Sequence, residues 1–578
     1  MKKIPHPILE SRKVLEKTLH RRKFLKSFAG WGGAGMMGYS AAASALHMMV
    51  HGAFSKIYAN SISSEPRNLF ELYLQGGFPA QFLYLPLRPN AGDLYVHNTN
   101  NSNNWVSGAP VYTTAPVTAA GVTLHLPFIW AQTIPRAASR GGGFVPMSNL
   151  LTNTMMARGF WNPFDSHEIG SIQISRPSVT APSIAGMLID QIDGSRSPIP
   201  AVAGEHDLAG ATFYSRTKAR KVARYRRSDN FLNPIATIMD PFRANAGMLG
   251  LLDKKDQFSA LFNDALSAVA QDARRLDPGS ESILSSLSGA EALFRRNFGN
   301  LTDVYNSLYA KYMGLMNACS VQAYLSSAIS PIASSPYRSG ETLGVIATTD
   351  LRTIVQPNSH IGYMASAFAL GEFLITNNLS KAVTVYAEGT NGLQFTAVRD
   401  GVTTIHQGIP NDQHGYGVAA TIPSNNFYAR CVAACTYEMS LALKDVNLFD
   451  STVMKVGSDF PRSPSNDGSG SDHAWSANGF MLTSGAIKKP SVIGNIARSP
   501  YAAPSNPALR SYIGTWGEGS THNHEGSNGT YLNLGHYASS ICTALNIPSP
   551  TPNFLSIIQD SPTEGLVPLL GPGQTRNT

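Results

Sequence analysis

The chain has 578 residues, 43% of them apolar, with 45 Lys and Arg against 37 Asp and Glu for a formal charge of +8. This composition excludes collagen-like and low-complexity chains, and 51 Gly and 36 Pro point to long loops in a globular protein. Residues 1–59 hold ten Lys or Arg and two Glu, which is all of the excess charge, so the remainder is close to neutral and implies no nucleic-acid partner.

Those first residues read as a targeting segment. His20-Arg21-Arg22-Lys23-Phe24-Leu25-Lys26 matches the twin-arginine export pattern, and Ser27 to Ser55 follow without an Asp, Glu, Lys or Arg. Ile57-Tyr58-Ala59 is a small-residue cleavage site, which predicts a signal peptide over 1–59 and a periplasmic or secreted product. The translocation machinery of that pathway is then a partner. If the segment is kept, its uncharged run exceeds the roughly 20 residues that span a bilayer, and the protein stays membrane-anchored.

The exported part is long enough for one elaborated α/β domain over 60–558. Asn68 to Leu74 (NLFELYL) reads as the first core strand, closed by a tight turn at Gln75-Gly76-Gly77. Leu85 to Thr123, rich in Pro, Asn and Thr, reads as irregular loops or short strands. Leu150 to Phe160 is predicted as a second core strand and Ser183 to Ile192 as a helix. RTKARKVARYRR, Arg216 to Arg227, has seven cations in twelve residues. It is either a solvated helix face or loop, or a patch for an anionic envelope polymer or lipid headgroup.

From about 253 to 327 apolar residues recur at three and four, the pattern of a helical insert. The α/β pattern then resumes with helix Ile361 to Thr376, strand Ala382 to Tyr386, helix Asn426 to Lys444 and strands Thr452 to Val456 and Gly479 to Thr483. The alternation predicts a mainly parallel central sheet flanked by helices. The tail, 559–578, is rich in Pro, Gly and Thr and reads as flexible. Cys319, Cys431, Cys435 and Cys542 form no CxxC pair. Buried free thiols are predicted, with a Cys319–Cys542 bridge as the alternative in an oxidising compartment.

In open parallel sheets, ligands bind beyond the carboxyl ends of the strands. Asp412 and His414 fall in the loop between strand Ala382 to Tyr386 and helix Asn426 to Lys444, and Asp459 follows strand Thr452 to Val456, so both open onto one edge. With Asp472 and His473 they are oxygen and nitrogen donors of the kind that hold zinc, manganese or calcium. Thr521 to Glu525 (THNHE) offers His522, His524 and Glu525 as further donors, or is a solvated loop. There is no phosphate-binding glycine loop, nucleotide fingerprint or haem motif.

Taken in order, the segments Asp412-Gln413-His414, Ser458-Asp459-Phe460-Pro461-Arg462-Ser463-Pro464, Asp472-His473 and Gly485-Ala486-Ile487-Lys488 running to Ile493-Gly494 carry a resemblance. They resemble the D-T-H, S-E-F-G-R-T-P, R-D-H and Gly-Ile-Lys-Gly signature of a bacterial family of exported proteins of unknown function. That family is placed in the alkaline-phosphatase-like superfamily, with sulfatases and phosphodiesterases. The resemblance implies an alkaline-phosphatase-like fold and a metal-dependent phosphate or sulfate ester hydrolase, with two metals about 3.5–4 Å apart. Asp412 and His414 would sit at one metal and Asp459 at the other. His473 would be the late histidine, oriented by Asp472.

By the same resemblance Thr180, two residues before Pro182, would be the nucleophile at a helix N-terminus, with His167 facing the site. Thr180 or Ser183 acting only as a helix cap is the competing reading. The departures are specific. Leu83 or Pro79 stands where the family has an Asp, Phe460 stands where phosphatases have a ligating His, and Pro461 replaces a Gly. They favour a reduced metal site, or a non-catalytic envelope binding or assembly protein that retains the fold.

Overall fold

The computed structural model describes residues 65–84, 114–162, 166–177, 181–192, 201–204, 213, 215, 222–225, 298–319, 341–343, 360–390, 395–399, 402–406, 410–414, 418–460, 462–464, 471–473, 476–498, 512–518 and 532–569. Residues 1–59, read as a signal peptide, Thr180 and residues 521–525 lie outside them. The chain divides into two compact units, one of Met1–Ser61, Asp193–Ile199 and Asn233–Val304 and one of Ile62–Ile192, Pro200–Leu232 and Tyr305–Thr578. Of the first, residues 298–304 are described. The second holds the central sheet.

That sheet has nine strands: β1 (Asn68–Leu74), β2 (Thr154–Trp161), β3 (Ala201–Gly204), β4 (Val222–Tyr225), β5 (Ala382–Ala387), β6 (Thr452–Ser458), β7 (Ser476–Thr483), β8 (Ser491–Arg498) and β9 (Tyr512–Glu518). Their order across the sheet is β9-β8-β2-β7-β6-β1-β5-β3-β4. β1 lies parallel between β5 and β6, β3 is parallel to β5 and β4, and β8 is parallel to β2. β7 runs antiparallel to both β6 and β2, and β9 antiparallel to β8. The sheet is therefore mixed and mostly parallel, in an α/β arrangement.

β1 and β6 are buried at every position, as a central strand covered on both faces must be. Alternation along β1 sends Leu69, Glu71 and Tyr73 to one face and Phe70 and Leu72 to the other. The first face shares a core with helices Ile184–Gln191 and Leu534–Leu545 through Leu188, Tyr537 and Ile541. On the second, Phe70 meets Phe368 of helix His360–Thr376 at 5.3 Å between ring centroids. Among the described residues no helix is long and apolar enough to cross a membrane.

Several expectations shift. The second core strand starts at Thr154, after a helical turn at Ser148–Leu151. The helix expected from Asn426 starts at Val418 and runs to Asp445. A hairpin of Phe395–Arg399 and Val402–His406 intervenes between β5 and that helix. Ser183 caps its helix, its Oγ accepting from the Gly186 N–H at 3.0 Å. Of the insert, helix Phe298–Ala318 is described. Part of the basic run is neither helix nor loop, because Val222–Tyr225 is the last strand in the sheet order. The tail read as flexible begins with an ordered hairpin, Ile558–Ser561 pairing Gly565–Pro568.

All four cysteines are buried free thiols, so no Cys319–Cys542 bridge is formed. Cys319 instead lies near Cys431, while Cys542 belongs to the core around Tyr537. Burial pushes the Cys431, Cys435 and Cys542 thiols well up, which leaves them unreactive near neutral pH.

Candidate metal centre at the carboxyl edge of the sheet

Strand direction explains why distant residues meet. β1, β2, β5 and β6 all run the same way, so the segments after them emerge on one edge. Gly76-Gly77 follows β1, His167 follows β2, Asp412 follows β5 and Asp459 follows β6. β7 runs the opposite way, so His473, which precedes it, arrives at the same edge from its amino end. The turn after β1 has left-handed backbone at Gly76 and Gly77, φ 96° and 68°. A Cβ at Gly76 would lie 2.9 Å from the Asp412 backbone nitrogen, so glycine lets the two loops touch.

Asp412 is the hub. Its Oδ2 lies 3.3 Å from His167 Nε2, and its Oδ1 lies 3.2 Å from His414 Nε2 and 3.9 Å from His473 Nε2. The guanidinium of Arg462, fully buried, donates to the same Oδ1 and to the Gly76 carbonyl at 3.0 Å. Burial alone would raise the Asp412 pKa, but His167, His473 and Arg462 hold the carboxyl well below its usual range. It is therefore an anion at all ordinary pH values.

Asp459 stands behind this hub. It is fully buried, its Oδ1 accepts from the Gly77 N–H at 2.5 Å and from Ser458 Oγ at 2.8 Å, and its Oδ2 is 2.6 Å from His167 Nδ1. Asn162 Nδ2 donates to its carbonyl at 2.8 Å. Gly170 lets the His167–Ser175 helix approach, since a Cβ there would lie 3.3 Å from the same carbonyl. Asp459 thus fixes the His167 ring with Nδ1 toward itself and Nε2 toward Asp412. In that position it orients a histidine and does not stand among the converging donors.

His167, Asp412 and His473 place one donor atom each within 4.8 Å of one another, a group able to hold a metal ion. Around a tetrahedral zinc with ligands at about 2.0–2.1 Å, neighbouring donors are roughly 3.3 Å apart; His167 Nε2 and Asp412 Oδ2 stand at 3.3 Å, and His473 Nε2 is 3.9 Å from Asp412 Oδ1. His167 Nε2 is also buried without a well-formed hydrogen bond, as a ring nitrogen aimed at an ion would be. The donor set fits a divalent cation. Phe460 is the floor of the site, its ring 4.1 Å from His473 and 4.7 Å from His167.

Comparison with protein families, curated proteins and solved structures finds no match to this chain. The site is therefore argued from its own geometry. Of the residues singled out in the sequence, Asp412, His414, His473 and His167 come together at one place, and Asp459 supports them from behind. Asp472 holds the register position opposite Ser463, and its side chain lies outside the described set. No second cluster exists among the described residues. Leu83, which with Pro79 is read by resemblance as standing in for an acid, is buried, and Trp130 Nε1 donates to its carbonyl at 2.7 Å. Arg462 enters the sequence pattern only as part of a motif; the signal for its role is a lone Arg between Asp459 and Asp472.

Burial alone would lower the His167 pKa from its usual 6.5, but the contacts with Asp412 and Asp459 and their charges raise it to about 9. The sign of the pH effect follows. The stabilisation is fully present below pH 6.5 and is lost as pH rises through about 9. In chelator-treated protein the urea midpoint should fall over that window, and His167→Gln should flatten the fall; identical profiles would show that His167 is not the group responsible. A cation must displace the same proton, so metal affinity should rise over the same range.

Proposed function

We propose that the chain is an exported, metal-dependent hydrolase of phosphate or sulfate esters, a member of the alkaline-phosphatase-like group with a reduced, single-metal site. The observation that carries this reading is the convergence of His167, Asp412 and His473 at the carboxyl edge of the sheet, where such folds bind ligands. Those three side chains would hold the cation, and Asp459 would keep the His167 ring in register. A bound zinc or manganese ion would act as a Lewis acid on the ester oxygens and ease ionisation of a nucleophile. Arg462 holds the Asp412 carboxylate in place. Thr180 as nucleophile rests on its spacing to Pro182 and on the capped helix that Ser183 opens.

Export through the twin-arginine pathway is part of the proposal and rests on residues 1–59. The basic run around Val222–Tyr225 would attract an anionic envelope polymer or lipid. Leu83 and Phe460 favour a second reading, a non-catalytic envelope protein that keeps the fold, because each places an apolar group where an ester hydrolase of this kind carries a metal ligand.

Metal analysis of the exported protein, paired with turnover of an aryl phosphate and an aryl sulfate, separates the two. One bound metal per chain and chelator-sensitive turnover that Thr180→Ala abolishes support the enzyme. Metal without turnover leaves the binding protein, and protein that takes up no metal overturns both the site and the chemistry.

A further inference from the structure

We infer that the ester taken by this site is amphiphilic, with its charged head on the metal centre and an apolar chain lying over Trp161, Ile169, Phe554 and Leu555 at the rim. This rests on the single-metal reading above and names the class of substrate for the same site.

Seven large apolar side chains are exposed among the described residues, and these are four of them. Trp161, 48% exposed, is the last residue of β2, and the residue after it, Asn162, is the one whose Nδ2 holds the Asp459 carbonyl. The Trp161 N–H donates to the Leu532 carbonyl at 2.8 Å, and Trp161 bridges to Asn533, the cap of helix Leu534–Leu545. Phe554 covers the same helix end. A Cβ on Gly535 would lie 2.3 Å from its ring, and its centroid is 5.2 Å from that of His536. Leu555 follows and is 66% exposed. Ile169 is on the outer side of helix His167–Ser175, two residues from a metal donor, while Gly170, Ser171 and Ile174 of that helix are buried.

Exposed apolar side chains scattered singly are ordinary, whereas a group of them beside a ligand site marks a binding surface. Three occupants fit an apolar surface, and two of them fit poorly here. Four side chains offer on the order of a few hundred Å², less than the roughly 800 Å² per partner that a stable dimer buries. An anionic membrane is disfavoured by Glu168, an exposed acid beside Ile169. The third occupant is the substrate itself. An ester whose head is held at the donors carries its alcohol part out past this rim, where Trp161 offers a flat apolar face.

Alkylphosphonates of rising chain length, titrated calorimetrically into the zinc-loaded full-length protein, read this without any turnover. Affinity should rise about threefold for each methylene between butyl- and octylphosphonate, with a negative heat-capacity change. The double variant Trp161→Ser, Leu555→Ser, shown to be folded by its melting curve, should flatten that rise. A rise that the double variant keeps would place the chain elsewhere and overturn the inference. If methylphosphonate binds and longer chains gain nothing, the inference is overturned while the metal site stands; vesicle co-sedimentation or a dimer that the double variant abolishes would then assign the surface to lipid or to a second copy. If no phosphonate binds the zinc-treated protein, the metal reading fails and this inference with it.

Discussion

Asp412→Asn should cut divalent-metal affinity by about 100-fold or more and leave the purified protein without stoichiometric metal. The carboxylate is the shared contact of His167, His414 and His473. The amide keeps the shape but removes the charge, and it leaves the buried Arg462 guanidinium repelling any cation that enters. Asp459→Asn is the informative contrast. It spares every converging donor yet releases the His167 ring, so its loss should be smaller, about 10- to 100-fold, as for other residues that orient a ligand. Titration calorimetry with zinc, with melting curves to show that both variants fold, checks the pair. Wild-type affinity in Asp412→Asn would move the metal elsewhere. An effect of Asp459→Asn as large as that of Asp412→Asn would make Asp459 a ligand after all.

That contrast marks where the sequence stops being readable. β1, β5 and β6 were legible because apolar runs bounded by Gly, Asn and Asp leave little choice, and the placement of Asp412 and Asp459 on one edge followed from them. The division of labour between the two carboxylates was not legible. Whether an Asp after a strand binds a metal or supports a histidine depends on what faces its oxygens. For Asp459 those partners are the Gly77 N–H and the ring of His167, separated from it by 382 and 292 positions. The sequence sets His167 facing the site but gives it no ligand role, because one of its ring nitrogens is committed by that distant carboxylate. Arg462 reaches the Gly76 carbonyl across 386 positions, a contact no local pattern encodes. Other misses were local. Asp400-Gly401 between two alternating segments is a strong hairpin signal, and it lies between Phe395–Arg399 and Val402–His406. Pro423 argues for a helix start after it, yet the helix runs from Val418 through that position.

A second large effect lies beneath the site. Lys455→Met should destabilise the fold by about 3–5 kcal/mol, because it strands the carboxylate of Glu71 in the middle of the sheet. Glu71 on β1 and Lys455 on β6 are register partners, 6% and 1% exposed, and their side chains form an ion pair. Thr384 Oγ1 on β5 donates to Glu71 Oε2 at 3.2 Å, and Lys455 Nζ sits 5.0 Å over the Tyr537 ring. Burial alone would lower the Lys455 pKa, but Glu71 keeps it raised, so Lys455 is a cation. Replacing both partners with Met removes the stranded charge along with the attraction, so the double variant should recover most of the loss in urea unfolding. A double variant as unstable as the sum of the singles would show that the two charges do not stabilise each other. The pair also bears on the metal centre, because β1 leads directly into Gly76-Gly77 and β6 into Asp459. A polar contact that only one register satisfies keeps those two strand ends level, and with them the Gly77 N–H against the Asp459 carboxylate. Lys455→Met should therefore weaken zinc binding even where the protein remains folded, whereas the double variant, with an apolar pair in place of the specific one, should regain stability more fully than it regains affinity.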